Sequence, residues 1–341
     1  VLCSDAMAAQ SQEEAHRARR RERLVQGLLL GAAAVGVPAL ANLFVSRRAR
    51  RLTPISWGSG DRYAWKHGEI VYQRLGDGEP IVLLHSFGPG HSSTEWRRSA
   101  VTLAESHRVY APDFLGWGRS EKPIRRYRAQ LYVEQVVDFL EEVVAGEGAH
   151  VVAAGMSAAY ATRVAAERPE LVRSLALVVP FGVGVHGAGP DFKDALVYRL
   201  LRLPIIGTAA LNLFTSHSAI AAYLRREVYG SPHAVDDALV ERHYRDSHQL
   251  RAHVALAAYL SDQLDHDVRD ALARVEVPVW LAWGRQALSP PVESADLWLD
   301  GLADGMTDAE LEVFEQCGIL PHAESPTEFA EKLEQFVGER A

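Results

Sequence analysis

The residues best suited to covalent chemistry lie in HVVAAGMSAAYATRVAA, residues 150–166. An apolar run ends in Gly155-Met156-Ser157-Ala158-Ala159, and a helical pattern follows. The segment therefore reads as strand, tight turn, helix, with the G-x-S-x-G pattern of a nucleophilic serine and Ala159 in place of the last glycine. Small residues two before and two after the serine allow such a turn to close. The pattern predicts Ser157 as the catalytic nucleophile, with the Ala158 N–H and the helix dipole facing a developing oxyanion. The plainer alternative is a serine that only caps the helix.

A nucleophile needs elements that hold it, and the chain alternates apolar runs with amphipathic stretches from Arg62 onward. Residues 70–74, 81–85, 108–112, 150–154, 175–179 and 277–283 read as strands, several of them apolar enough to be buried on both faces. Val133, Val136, Val137, Leu140, Val143 and Val144 recur at helical spacing, as do Phe329, Leu333, Phe336 and Val337. This alternation predicts an α/β fold with a mostly parallel sheet and helices on both faces. Residues 182–267 break the alternation with several helical patterns. Inserted between two strands, they predict a cap subdomain over the carboxyl ends of the sheet, where ligands bind. A second packing layer without a ligand is the alternative.

Three further segments agree in order and spacing. LLHSFGPGHSSTEW (83–96) follows a strand, APDFLGWGRSEKP (111–123) follows the next, and AERPELVRSLALVVP (166–180) links the serine helix to another. With the serine turn, they resemble the α/β-hydrolase fold superfamily, in its capped haloalkane-dehalogenase/esterase-like branch, over residues 62–340. A dehalogenase uses an aspartate nucleophile, which Ser157 excludes. The resemblance implies an oxyanion hole formed by the backbone N–H groups of Phe87 and Ala158. Ser86 stands where the family usually has glycine.

The resemblance also implies an acid and a histidine, and neither position is filled. The family's acid falls on Ala287 and its histidine on Ile319. A serine hydroxyl without a base is a poor nucleophile. His322 and His85 are candidate substitute bases, and His186, His217, His243 and His248 lie in the cap. The expected protein is a hydrolase-like chain with a degenerate triad that binds a small apolar or acyl-type ligand with weak or no ester hydrolysis. The alternative is an active esterase, lipase or thioesterase using a relocated base.

Residues 24–45 carry no charge over 22 positions, enough for a helix to span about 30 Å of hydrocarbon. Arginine-rich stretches flank them, and residues 1–23 read as a disordered basic tail. A single-pass transmembrane anchor is expected, which places the protein at a membrane. A cleaved signal peptide, giving an exported protein, and a helix packed on the domain are the alternatives. Residues 1–51 carry a net charge of +5 and the remainder −13. Such an acidic body does not suit nucleic acid. Cys3 and Cys317 are the only cysteines, so neither a disulfide framework nor a cysteine zinc site is available. No phosphate loop, dinucleotide fingerprint or metal cluster is present, so no cofactor or metal is expected.

Overall fold

The computed structural model describes residues 36–48, 53, 56–184, 190–305 and 307–338. Helix α1 covers 36–48. Strands β1 (Asp61–Trp65), β2 (Gly68–Leu75) and β3 (Glu79–Leu84) follow, then helix α2 (Ser99–Leu103), strand β4 (His107–Pro112) and helix α3 (Ala129–Glu142). Strand β5 (Ala149–Ala154), helix α4 (Met156–Glu167) and strand β6 (Val172–Val178) complete the centre. These strands, with β7 and β8 described below, form one sheet ordered β1-β2-β4-β3-β5-β6-β7-β8. The pairs β1–β2 and β2–β4 are antiparallel, and all the others are parallel.

Every residue of β5 is buried, in keeping with a sequence that is apolar except for His150. It pairs with β3 on one side and β6 on the other, with Ala154 opposite Val178. That register fixes where the strand stops and the turn into α4 begins. The fold thus confirms the α/β-hydrolase expectation for the sheet and its helices.

Between β6 and β7 (Val279–Gly284) the chain forms helices α5 (Phe192–Leu201), α6 (Ile206–Phe214), α7 (His217–Tyr223), α8 (Asp237–Ser247) and α9 (Ala252–Tyr259), then the short α10 (Arg269–Leu272). Asp191 starts α5 with a reciprocal capping box to Asp194, and Asp236 caps α8 through the Leu239 N–H. Helix α11 (Ala295–Ala303), edge strand β8 (Ala309–Phe314), and helices α12 (Pro321–Glu324) and α13 (Pro326–Gly338) end the fold. Phe329, Leu333, Phe336 and Val337 of α13 are buried, at the spacing read from sequence.

The tail 1–23, residues 24–35 of the expected anchor, and His186 lie outside the described residues. Among the described residues, no single helix is long and apolar enough to cross a membrane. Helices α5 and α6 together have the length and apolar composition of a span, but the chain bends by 96° between them.

Candidate functional site

The sharp turn at the end of β5 belongs to Gly155, not to Ser157. Gly155 has φ 59° and ψ −121°, a region that residues with side chains occupy only under strain. Two backbone hydrogen bonds strap it to the neighbouring strand end: Gly155 N–H to Val178 O at 2.9 Å, and Phe181 N–H to Gly155 O at 3.0 Å. A Cβ built on Gly155 would stand 2.5 Å from Ser86 Oγ. The Ser86 hydroxyl therefore occupies the space that a side chain at the turn would need.

Ser157 lies two residues further on, inside the first turn of α4, and is fully buried. Its hydroxyl is 2.9 Å from Ala154 O and 3.1 Å from Leu84 O, so it donates to backbone carbonyls of two strand ends. No imidazole is among its partners. The Ala158 N–H is also engaged, donating to Gly155 O at 3.2 Å. This corrects the expected oxyanion pairing: Ala158 is not free, and the Met156 N–H, the first of the helix, is among the α4 donors left over. Neither the Met156 nor the Phe87 N–H has an acceptor among the described residues. Helix N-termini leave such donors unpaired unless a cap or ligand takes them.

The Phe87 side chain sits in a buried aromatic cluster. The Phe87 ring packs against Phe114, Trp117, Tyr132 and Tyr160 at centroid separations of 4.9–5.7 Å. Tyr160 donates its hydroxyl to Leu264 O at 2.7 Å, and Trp117 Nε1–H donates to Tyr132 Oη at 2.8 Å, so the polar ends of this cluster are satisfied. On the far side, Ala287 and Ile319 are both buried, and Ile319 N–H donates to Val228 O of the cap at 2.9 Å. Neither side chain can carry a proton.

Neither candidate substitute base is a partner of the Ser157 hydroxyl; His85 is hydrogen-bonded elsewhere, while both buried ring nitrogens of His322 lack a hydrogen-bond partner among the described residues. His85 Nε2 accepts the Phe114 N–H at 3.1 Å, and Nδ1 donates to Ser86 O at 2.6 Å. Burial pushes its pKa below the ordinary value. The His322 ring stacks on Trp96 at 3.7 Å, with Nε2 3.4 Å from Glu95 Oε1. Burial depresses it too, ahead of the opposing pull of Glu95. In the cap, His217 pairs with Glu241, His243 Nδ1 donates to Pro89 O, and His248 Nδ1 donates to Tyr244 O. His243 falls to about 3 through burial and the neighbouring His91.

Glu95 is the polar residue that sequence reasoning missed. Its carboxylate accepts the Ser86 N–H at 2.7 Å and His91 Nδ1–H at 2.9 Å, and faces His322. Burial alone would raise its pKa, but the adjacent His322 and His91 outweigh it and hold the carboxyl well below the usual range. Glu95 thereby fixes the loop after β3, and with it the Phe87 N–H. Nothing in the spacing of HSSTEW marks it for this. A cavity of about 190 Å³ lies beyond it, walled by His91, Glu95, Arg97, Tyr229, Arg242 and His243 among others.

Residues 81–332 match the alpha/beta hydrolase family. The 2-hydroxy-6-oxo-6-(2'-aminophenyl)hexa-2,4-dienoic acid hydrolase of Metapseudomonas resinovorans is 27% identical over 279 residues, covering 80% of this chain and 89% of the relative. The pimeloyl-[acyl-carrier protein] methyl ester esterase of Aliivibrio fischeri (strain MJ11) is 25% identical, covering 80% and 98%. Among solved structures, a membrane phospholipase A described as a bacterial virulence factor aligns with a TM-score of 0.64 at 25% identity, covering 93% of this chain and 98% of its own.

Proposed function

The chain belongs to the alpha/beta hydrolase family, and from that premise we propose that it binds a small apolar or acyl-type ligand without hydrolysing it at an appreciable rate. The observation that carries this reading is Gly155 in the strained turn. In this fold the nucleophile sits on that turn, where its side chain is presented to the substrate. Gly155 has no side chain, and Ser86 Oγ fills the place of one. The acid and histidine positions, Ala287 and Ile319, lack proton carriers as well. Loss of a serine–histidine unit costs roughly a millionfold in turnover, so a chain lacking all three parts retains recognition rather than catalysis.

Recognition has support of its own. Among the described residues the Phe87 and Met156 N–H groups have no acceptor, and the Phe87 ring belongs to an aromatic cluster, a combination suited to a carbonyl or carboxylate oxygen on an apolar body. Acyl-type ligands meet that description, in keeping with relatives named as an ester esterase and a dienoic acid hydrolase. Residues 24–45 would anchor the domain to a membrane. The test is amide NMR of the full chain in detergent micelles, titrated with octanoate. The Phe87 and Met156 N–H resonances should move downfield together as each donor acquires an acceptor. Binding that leaves both resonances in place would refute the site, and carbonate extraction that releases the full chain from membranes would refute the anchor.

A further inference from the structure

Helices of a soluble domain turn their apolar stripe inward, and the first two cap helices do the reverse. In α5 only Tyr198 is buried, while Phe192 (82% exposed), Leu196 and Leu200 repeat every four residues on the outside. In α6, Gly207 and Leu211 face inward, and Ile206, Leu213 (74% exposed) and Phe214 are exposed. Leu203 between the two helices is exposed as well. Helix α1 adjoins them: Asn42 Nδ2 donates to Ile205 O at 2.8 Å, and Asn212 Nδ2 donates to Asn42 Oδ1 at 3.0 Å. It adds exposed Val37, Leu40 and Phe44. Clustered exposure of this kind marks an interaction surface rather than ordinary scatter.

Charge identifies what covers it. Residues 36–48 and 192–214 contain Arg47, Arg48, Lys193, Arg199 and Arg202 against one acid, Asp194. The rest of the body is strongly acidic. A basic rim around apolar helices fits an anionic lipid surface, where such helices lie in the headgroup plane. The uncharged stretch 24–45 runs into α1, and the part of it in α1 lies on this face, tied to the cap through Asn42.

We propose that α1, α5 and α6 form one membrane-docking face, by which the cap lies in the lipid headgroup layer rather than hanging from a tether. The ligand of the site would then be recruited from the bilayer. This rests on the membrane reading of the N-terminal segment but is separable from it. A tether holds any domain near a bilayer, whereas a docking face puts particular side chains into it.

The experiment uses the full chain with Cys3→Ser and one new cysteine at a time: Phe192→Cys, Leu213→Cys, or Leu311→Cys on edge strand β8. Cys317 is buried, and burial pushes its thiol up to about 11, so it stays unlabelled. Each variant carries a nitrobenzoxadiazole dye and is mixed with vesicles of equimolar phosphatidylcholine and phosphatidylglycerol. The dyes at 192 and 213 should shift to the blue and brighten several-fold, while the dye at 311 stays in water. Protein that floats with the vesicles but leaves all three dyes in water would overturn the docking face and leave the anchor standing. Protein that does not float at all would remove both. Dyes at 192 and 213 that respond to protein concentration without vesicles would assign the face to a second copy of the chain and overturn the lipid proposal.

Discussion

The two halves of the site have diverged in different ways. On the β3 and β5 side the backbone is intact: the Gly155 turn is strapped to β6, Glu95 holds the Ser86 N–H, and the Phe87 and Met156 donors are unpaired. On the β7 and β8 side, Ala287 and Ile319 are buried side chains that cannot move a proton. Backbone donors recognise an oxygen, and side chains transfer protons. The contrast teaches that the two capacities are separable in this fold, because the donors belong to backbone at strand ends and not to side chains.

The largest expected effect comes from refilling the side-chain half. The variant Gly155→Ser, Ser86→Gly, Ala287→Asp, Ile319→His should hydrolyse a short activated ester at least about a hundredfold faster than the parent, short of the roughly millionfold that an intact set confers. Ser86→Gly is included because a side chain at 155 meets the Ser86 hydroxyl. The same variant without Gly155→Ser should stay silent in the same assay. If that partial variant were active, Ser157 rather than residue 155 would be the competent position.

Glu95 tests whether the backbone half depends on its buried carboxylate. Glu95→Ala leaves the Ser86 N–H, His91 and His322 without their shared carboxylate and should cost about 3–5 kcal/mol at neutral pH, read by denaturant unfolding. The sign with pH follows from its lowered pKa. The contribution is complete above the ordinary glutamate value of about 4.3 and is lost as pH falls below it toward the folded value. The stability gap between parent and variant should therefore narrow on acidification; a gap that widens would contradict the assignment.

Smaller effects separate the two small residues of the turn. Gly155→Ala should cost about 1–3 kcal/mol from backbone strain plus the contact with Ser86, and Ser86→Gly should return part of that melting-temperature loss. Ser157→Ala should cost only about 1 kcal/mol, the worth of an ordinary buried hydrogen bond, and should leave any residual esterase rate unchanged.

The sequence made the sheet legible because its central strands are buried on both faces and read as unbroken apolar runs. Strands β1 and β8 were harder to read: DRYAW is short and half exposed, and AELEVF alternates charge with partly buried positions at the sheet edge. That Ala287 and Ile319 cannot carry a proton is legible directly, whereas their standing at the acid and histidine positions rests on the resemblance of the flanking segments. The turn was not. In AAGMSAA, small residues flank both Gly155 and Ser157 at two positions on either side, so either can be centred. Only the pairing of Ala154 with Val178, a long-range register, decides between them. Glu95 left no sequence signal because its partners are a backbone N–H and a histidine of its own loop and a histidine, His322, far along the chain.

The central claim is that no nucleophile stands in the turn. It is tested most directly by exposing the full chain to a fluorophosphonate and weighing the intact protein. The account predicts an unmodified mass after prolonged exposure, while the Gly155→Ser, Ser86→Gly, Ala287→Asp, Ile319→His variant gains one adduct. Rapid addition to the parent chain, abolished by Ser157→Ala or Ser86→Ala, would contradict it.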